Sequence, residues 1–177
     1  MNLQSTDFEL FGLEARFEQD RAAVDARWKD LQREAHPDKF AAQGAAAQRV
    51  AMQWSVRINE AYKRLKDPLK RAAYLCELNA APVNAENNTA MPASFLMQQI
   101  DWREALDDAE SADDLMRLGR LVKEAKKAML VNCAQFLDEQ HDYAKAVQEV
   151  RALMFVERFA ADLDARLDQM ETQERGQ

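Results

Sequence analysis

Val24, Trp28, Leu31 and Ala35 recur at i, i+4, i+7 and i+11, and after a break Val50, Trp54, Ile58, Tyr62 and Leu65 repeat the pattern. A chain carrying two apolar stripes at the helical period can bury them only by packing one helix on the other. The break between them is about ten residues, which predicts an antiparallel pair. Asp20 is placed to cap the first helix, and His36-Pro37 stops it, because proline pushes the preceding residue out of the α region. Asp67-Pro68 ends the second. A short helix from Phe8 to Leu13 closes the core with Phe8 and Phe11, and LKRAAYLCEL forms a fourth through Leu69, Ala73, Tyr74 and Leu78.

Four glycines and four prolines in 177 residues are too few for the tight turns of a sheet-rich fold. The abundance of strong helix formers predicts an all-α protein. From Asn79 to Pro92 the text changes to NAAPVNAENNTAMP, without an apolar period, and reads as a linker. Three helical patterns follow, at 93–110, 113–139 and 142–173. The second carries Leu115, Leu118, Val122, Ala125, Met129 and Phe136; the third carries Tyr143, Val147, Val150, Met154, Ala161 and Leu167. Short polar breaks between them predict an antiparallel three-helix bundle. The expected organisation is an N-terminal domain over 1–76, a linker over 77–92 and the bundle over 93–173.

Charge divides the same way. Residues 1–76 hold 13 Lys/Arg and 11 Asp/Glu, a balance of +2; residues 77–177 hold 11 and 20, a balance of −9. A basic-leaning half and an acidic half imply two surfaces with different partners. The overall acidity argues against a nucleic-acid partner, which would need a basic stripe to neutralise phosphates. Cys76 and Cys133 form no CxxC pair and read as two buried thiols. No segment has the roughly 20 apolar residues a membrane span requires, and MNLQSTDFEL lacks the basic and apolar regions of a secretory signal. The expectation is a cytoplasmic protein without a membrane partner.

The most specific feature is His36-Pro37-Asp38, set in the exposed loop HPDKFAAQG between the paired helices. Taken alone, the tripeptide is a helix stop followed by a turn. A catalytic His–Asp dyad is a poor alternative, since no nucleophile lies nearby and no Gly-rich phosphate loop or metal-spaced cluster exists. No enzymatic activity is therefore expected. The preceding helix exposes Arg27, Lys29 and Arg33, and INEAYKRLKDP closes the following one. Together these features resemble the J-domain family over the whole of residues 1–76. The resemblance implies docking on a DnaK-type chaperone and stimulation of its ATPase. His36, Pro37 and Asp38 would form the signalling loop, and Lys29, Arg33 and Lys39 would approach an acidic surface of the chaperone. Without the loop, those cations would read as a solvated face.

The first helix of the bundle presents a second feature. At about 100° per residue, Phe95, Gln99, Trp102 and Leu106 fall within roughly 40° of one direction, the core face. Leu96, Ile100 and Met97 lie roughly 100° to 160° away, beside Asp101, Glu104 and Asp108. An apolar centre with a charged rim has the form of a partner site. The alternatives are docking on the first domain's helices or scattered surface hydrophobes.

FGL near the start, HPDKF, and SFLMQQIDWREALDDAE are similar to the HscB family over nearly the whole chain. That resemblance implies a co-chaperone bringing the iron–sulfur scaffold IscU to the specialised chaperone HscA. It places Leu96, Met97, Ile100, Asp101, Glu104 and Asp108 at the scaffold-binding positions. It adds Phe155 on the last helix, roughly 140° from the stripe through Val150, a placement that predicts exposure. Aspartate stands at 101 and 108 where longer glutamates would reach further, and Ile100 is β-branched. The cysteine pairs that precede the J-domain in some eukaryotic relatives are missing, so no metal or other cofactor is expected.

Overall fold

Several helix starts are written locally by short polar side chains, and a computed structural model shows these engaged, whereas the helices that begin after Gly44 and Pro92 have no side-chain cap. The structure describes residues 4–84 and 91–175; residues 85–90, within the expected linker, lie outside the described residues. Thr6 and Glu9 exchange bonds in a capping box that opens α1 (Asp7–Phe11). Asp20 accepts from the Ala22 N–H at 2.9 Å and starts α2 (Arg21–Glu34). Asp67 accepts from the Lys70 N–H, with Pro68 preset for the first turn of α4 (Pro68–Leu78). Ser111 and Asp114 form a second capping box at α6 (Ala112–Ala134). The Ser111 hydroxyl, then Arg117, holds the Asp114 carboxyl below its ordinary range.

Among the described residues every regular element is a helix, and there is no strand. The chain divides into two compact units, Met1–Asn79 and Ala80–Gln177. In the first, α2 packs on α3 (Ala45–Lys66), and α1 and α4 close the sides. Its core comprises Phe8, Phe11, Phe17, Val24, Leu31, Ile58, Ala61, Leu65, Tyr74 and Leu75. Buried Arg71 donates to the carbonyls of Phe17 (2.6 Å) and Leu65, tying the segment after α1 to the end of α3.

Several stripe assignments differ in detail. α1 stops at Phe11 because Gly12 adopts φ +64° and the Leu13 N–H turns back to the Phe8 carbonyl, so Leu10 is buried and Leu13 only half-buried. On α3, Val50 is exposed and Ala51 is buried with Ile58, Ala61 and Leu65. Small residues take two of the four buried positions on α3, which a stripe drawn through the largest residues misses. On α4, Leu78 is exposed while Ala72, Leu75 and Cys76 are buried.

In the second unit α5 (Ala93–Asp107), α6 and α7 (Tyr143–Arg175) form a three-helix bundle. Phe95, Trp102 and Leu106 from α5 meet Leu115, Leu118 and Val122 from α6 and Val156, Phe159 and Leu163 from α7. α6 runs into one π-helical turn, Gln135–Glu139, where Gln140 N–H reaches the Gln135 carbonyl at 2.9 Å. The extra residue per turn rotates the side chains, so Leu137 enters the core and Phe136 stays half-buried. On α7, Ala161 is exposed, and Leu153, Val156, Phe159 and Leu163 carry the packing. A single stripe fails there because the helix buries a broad face against two neighbours. Both cysteines are buried, as expected.

Candidate functional site

α2 ends at Ala35 because Pro37 forces His36 into an extended conformation, φ −63° and ψ 125°. Pro37–Gln43 then coils as a 3₁₀ helix. His36 caps it: Nδ1 accepts from the Asp38 N–H at 3.3 Å, and the Lys39 N–H donates to the His36 carbonyl at 3.0 Å. With Nδ1 accepting, the proton of a neutral ring sits on Nε2. The Asp38 carboxylate lies 3.6 Å from Nδ1, with 89% of its side chain exposed. Phe40, half-buried in the turn, lines an apolar hollow with Ala35, Ala47, Val50, Ala51 and Trp54. The tripeptide is thus presented outward, with Pro37 half-buried and the other two residues exposed.

Lys29 and Arg33, four residues apart on α2, are both exposed, as is Lys39 in the turn. Arg33 pairs with Asp30 on its own helix at 3.1 Å. An exposed pair of this kind adds at most about 1 kcal/mol and does not hold the cation from a partner. Further back on α2, the Tyr62 hydroxyl donates to Asp25 at 2.9 Å and keeps that carboxyl below its ordinary range.

On α5 the structure separates the two faces as the periodicity predicts. Phe95, Trp102 and Leu106 are buried, whereas Leu96, Met97 and Ile100 are 43%, 65% and 57% exposed. Asp101, Glu104 and Asp108 are exposed beside them, Asp108 as the helix C-cap. Glu104, Asp107 and Asp108 place carboxylates in or beside the last turn, where the helix dipole is negative, and no basic residue stands there. Each such charge costs about 0.3–1 kcal/mol locally. A feature that opposes helix stability is expected at a binding face.

Phe155 differs from expectation. It is half-buried, edge-on to Phe95 with ring centroids 5.7 Å apart and stacked on Phe159 at 6.0 Å. Helical phase alone placed it in solvent, but α5 lies across α7 there and covers one side of the ring. Arg103 was missed in the sequence. Its guanidinium stands 5.8 Å from the Phe155 ring and 5.2 Å from that of Phe159, held by Asp162 at 2.8 Å. Its position three residues after Ile100 was the available signal.

A helix pair with an exposed His-Pro-Asp turn, on one chain with an acidic three-helix bundle, is the arrangement that the resemblance to J-proteins leads one to expect. Comparison with known proteins narrows the class. Residues 91–164 match the family model described as the HSCB C-terminal oligomerisation domain. The co-chaperone protein HscB homolog of Burkholderia multivorans is 46% identical over 175 residues, 97% of this chain and 99% of that one. The Burkholderia cenocepacia homolog is 45% identical over the same span. Among solved structures, the chaperone HscB from Vibrio cholerae superimposes with a TM-score of 0.80 at 30% identity, covering 94% of this chain and 99% of that one. Human co-chaperone HscB gives 0.83 at 25% identity, covering 97% and 84%. The chain belongs to the HscB co-chaperone family. Among the described residues no helix is long and apolar enough to cross a membrane.

Proposed function

We propose that this chain is the adaptor that delivers the iron–sulfur scaffold IscU to the DnaK-type chaperone HscA and stimulates its ATPase. The observation that carries the reading is the pairing, on one chain, of an outward His36-Pro37-Asp38 turn with an acid-rimmed apolar face on α5. In this reading the turn engages the ATP-bound chaperone while Lys29, Arg33 and Lys39 steer its approach to an acidic surface. Steering by a few cations raises the encounter rate and weakens with salt.

Leu96, Met97 and Ile100, with Phe155 beside Arg103, form the apolar contact for the scaffold, and Asp101, Glu104 and Asp108 receive its basic groups. With 43–65% of each residue still exposed, burying the rest gains roughly 0.7–2 kcal/mol each before association costs. That supports transient binding near the micromolar range. Carrying both surfaces on one chain raises the effective concentration of scaffold at the chaperone. The chain itself performs no chemistry, and the reducing cytoplasm is its compartment.

The test is the steady-state ATPase of HscA titrated with this protein, with and without IscU. Synergistic stimulation that disappears in His36→Gln supports the reading. Stimulation indifferent to the scaffold would reduce it to a general J-protein serving other clients, and no stimulation would sink both.

A further inference from the structure

A turn that presses on another protein transmits force through whatever holds its base. The last peptide carbonyl before the tripeptide is that of Ala35, a buried residue. In a continuing helix it would accept from the N–H of residue 39, but the Lys39 N–H is taken by the His36 carbonyl at 3.0 Å. Pro37 has no N–H to offer. The carbonyl of a buried residue in this position is left to find another donor.

The donor comes from the middle of α3. Ser55 Oγ reaches the Ala35 carbonyl at 3.2 Å. α2 answers in the opposite direction: Gln32 Nε2 donates to the Ser55 carbonyl at 3.2 Å and to Asn59 Oδ1 at 2.8 Å. Trp28 Nε1 donates to the same Asn59 oxygen at 2.9 Å. The polar seam thus runs along the α2–α3 interface and ends one residue before His36. A helix interior favours alanine over serine, and a serine there ordinarily turns to its own preceding turn or to water. The Ser55 hydroxyl instead crosses to the neighbouring helix.

We propose that Ser55 is a positioning residue for the signalling turn, fixing the carbonyl from which His36-Pro37-Asp38 departs, with Gln32 and Asn59 setting the register of α2 on α3. The inference rests on the proposed function and acts through His36 and Asp38; Ser55 itself touches no partner. It predicts that the hydroxyl governs how well the docked turn signals more than how tightly the protein docks.

The experiment compares the full chain with Ser55→Ala and Ser55→Thr in two measurements. Amide chemical shifts of Asp38 and Lys39 in the isolated protein report the turn. HscA ATPase titrations report maximal stimulation and half-maximal concentration separately. Ser55→Ala is expected to move both amide shifts and lower maximal stimulation about fivefold, the worth of one hydrogen bond, with the half-maximal concentration within about twofold. Ser55→Thr, which keeps the hydroxyl, is expected to restore both. Unmoved amides, full stimulation by Ser55→Ala, or failure of Ser55→Thr to restore it would each overturn the inference. If the unaltered chain itself fails to stimulate, the proposed function falls and takes this role of Ser55 with it, whatever the amides show.

Discussion

Asp7 Oδ1 lies 2.7 Å from Arg57 Nη1, and the Asp7 side chain has no exposure to solvent. Arg64 closes on the other carboxylate oxygen at 3.0 Å and stacks over the Tyr74 ring. Tyr74 in turn accepts the Asp7 N–H on its hydroxyl at 3.0 Å. One residue of a five-residue helix is thereby bound to α3 and α4 at once. A helix that short has no stability of its own. Its place in the unit depends on this charge cluster and on Phe8 and Phe11.

Replacing Asp7 with alanine leaves Arg57 and Arg64 without their shared counter-charge. The expected loss is about 1–3 kcal/mol, since the arginines left behind keep 20% and 41% of their side chains exposed to water. Urea unfolding of a chain with Trp102→Phe, so that fluorescence comes from Trp28 and Trp54, measures it. A midpoint unchanged from the parent would show that the cluster contributes nothing net.

Leu96→Ala combined with Met97→Ala removes two exposed side chains that support no core residue. We expect scaffold binding to weaken about tenfold or more, with melting temperature and basal stimulation of the chaperone unchanged. Titration calorimetry against IscU and a thermal scan decide it. Equal loss of both activities would make the face structural.

Glu149 is half-buried on α7, and burial raises its carboxyl above the usual range, partly offset by the Asn132 amide donating at 3.3 Å. A carboxyl raised on folding contributes stability that is complete below its unfolded value. That contribution is lost as pH rises through the folded one. Glu149→Gln mimics the protonated form, so it is expected to raise the melting temperature at pH 7 and to have no effect near pH 3. A gain of equal size at both pH values would contradict the assignment.

Cys76 is fully buried, and burial pushes its thiol up to about 11. Thiolate is the reactive form, so iodoacetamide at pH 7.5 should leave the native protein unmodified at Cys76 and at the equally buried Cys133. Both should be alkylated in 6–8 M urea, a range about that of complete unfolding for small domains. Rapid native labelling read by mass spectrometry would place a thiol at the surface.

The sequence alone determined the helical class, the positions of most helix ends and the separation of faces on α5. Those features are local: Asp20, Asp67 and Ser111 act on N–H groups within three residues, and the 3.6-residue period fixes which side chains share a side. The His36-Pro37-Asp38 turn was legible for the same reason, since proline dictates the break wherever it stands. Tertiary structure decided what depends on distant neighbours. Ala51 rather than Val50 is buried, which depends on how α3 is turned toward its neighbours. Phe155 is half-covered because α5 crosses it, and Leu137 replaces Phe136 because one π turn resets the phase. The bond from Ser55 to Ala35 joins residues 20 apart, and that from the Asp7 N–H to Tyr74 joins residues 67 apart. No periodicity encodes such pairs, because they exist only once two helices have chosen their register.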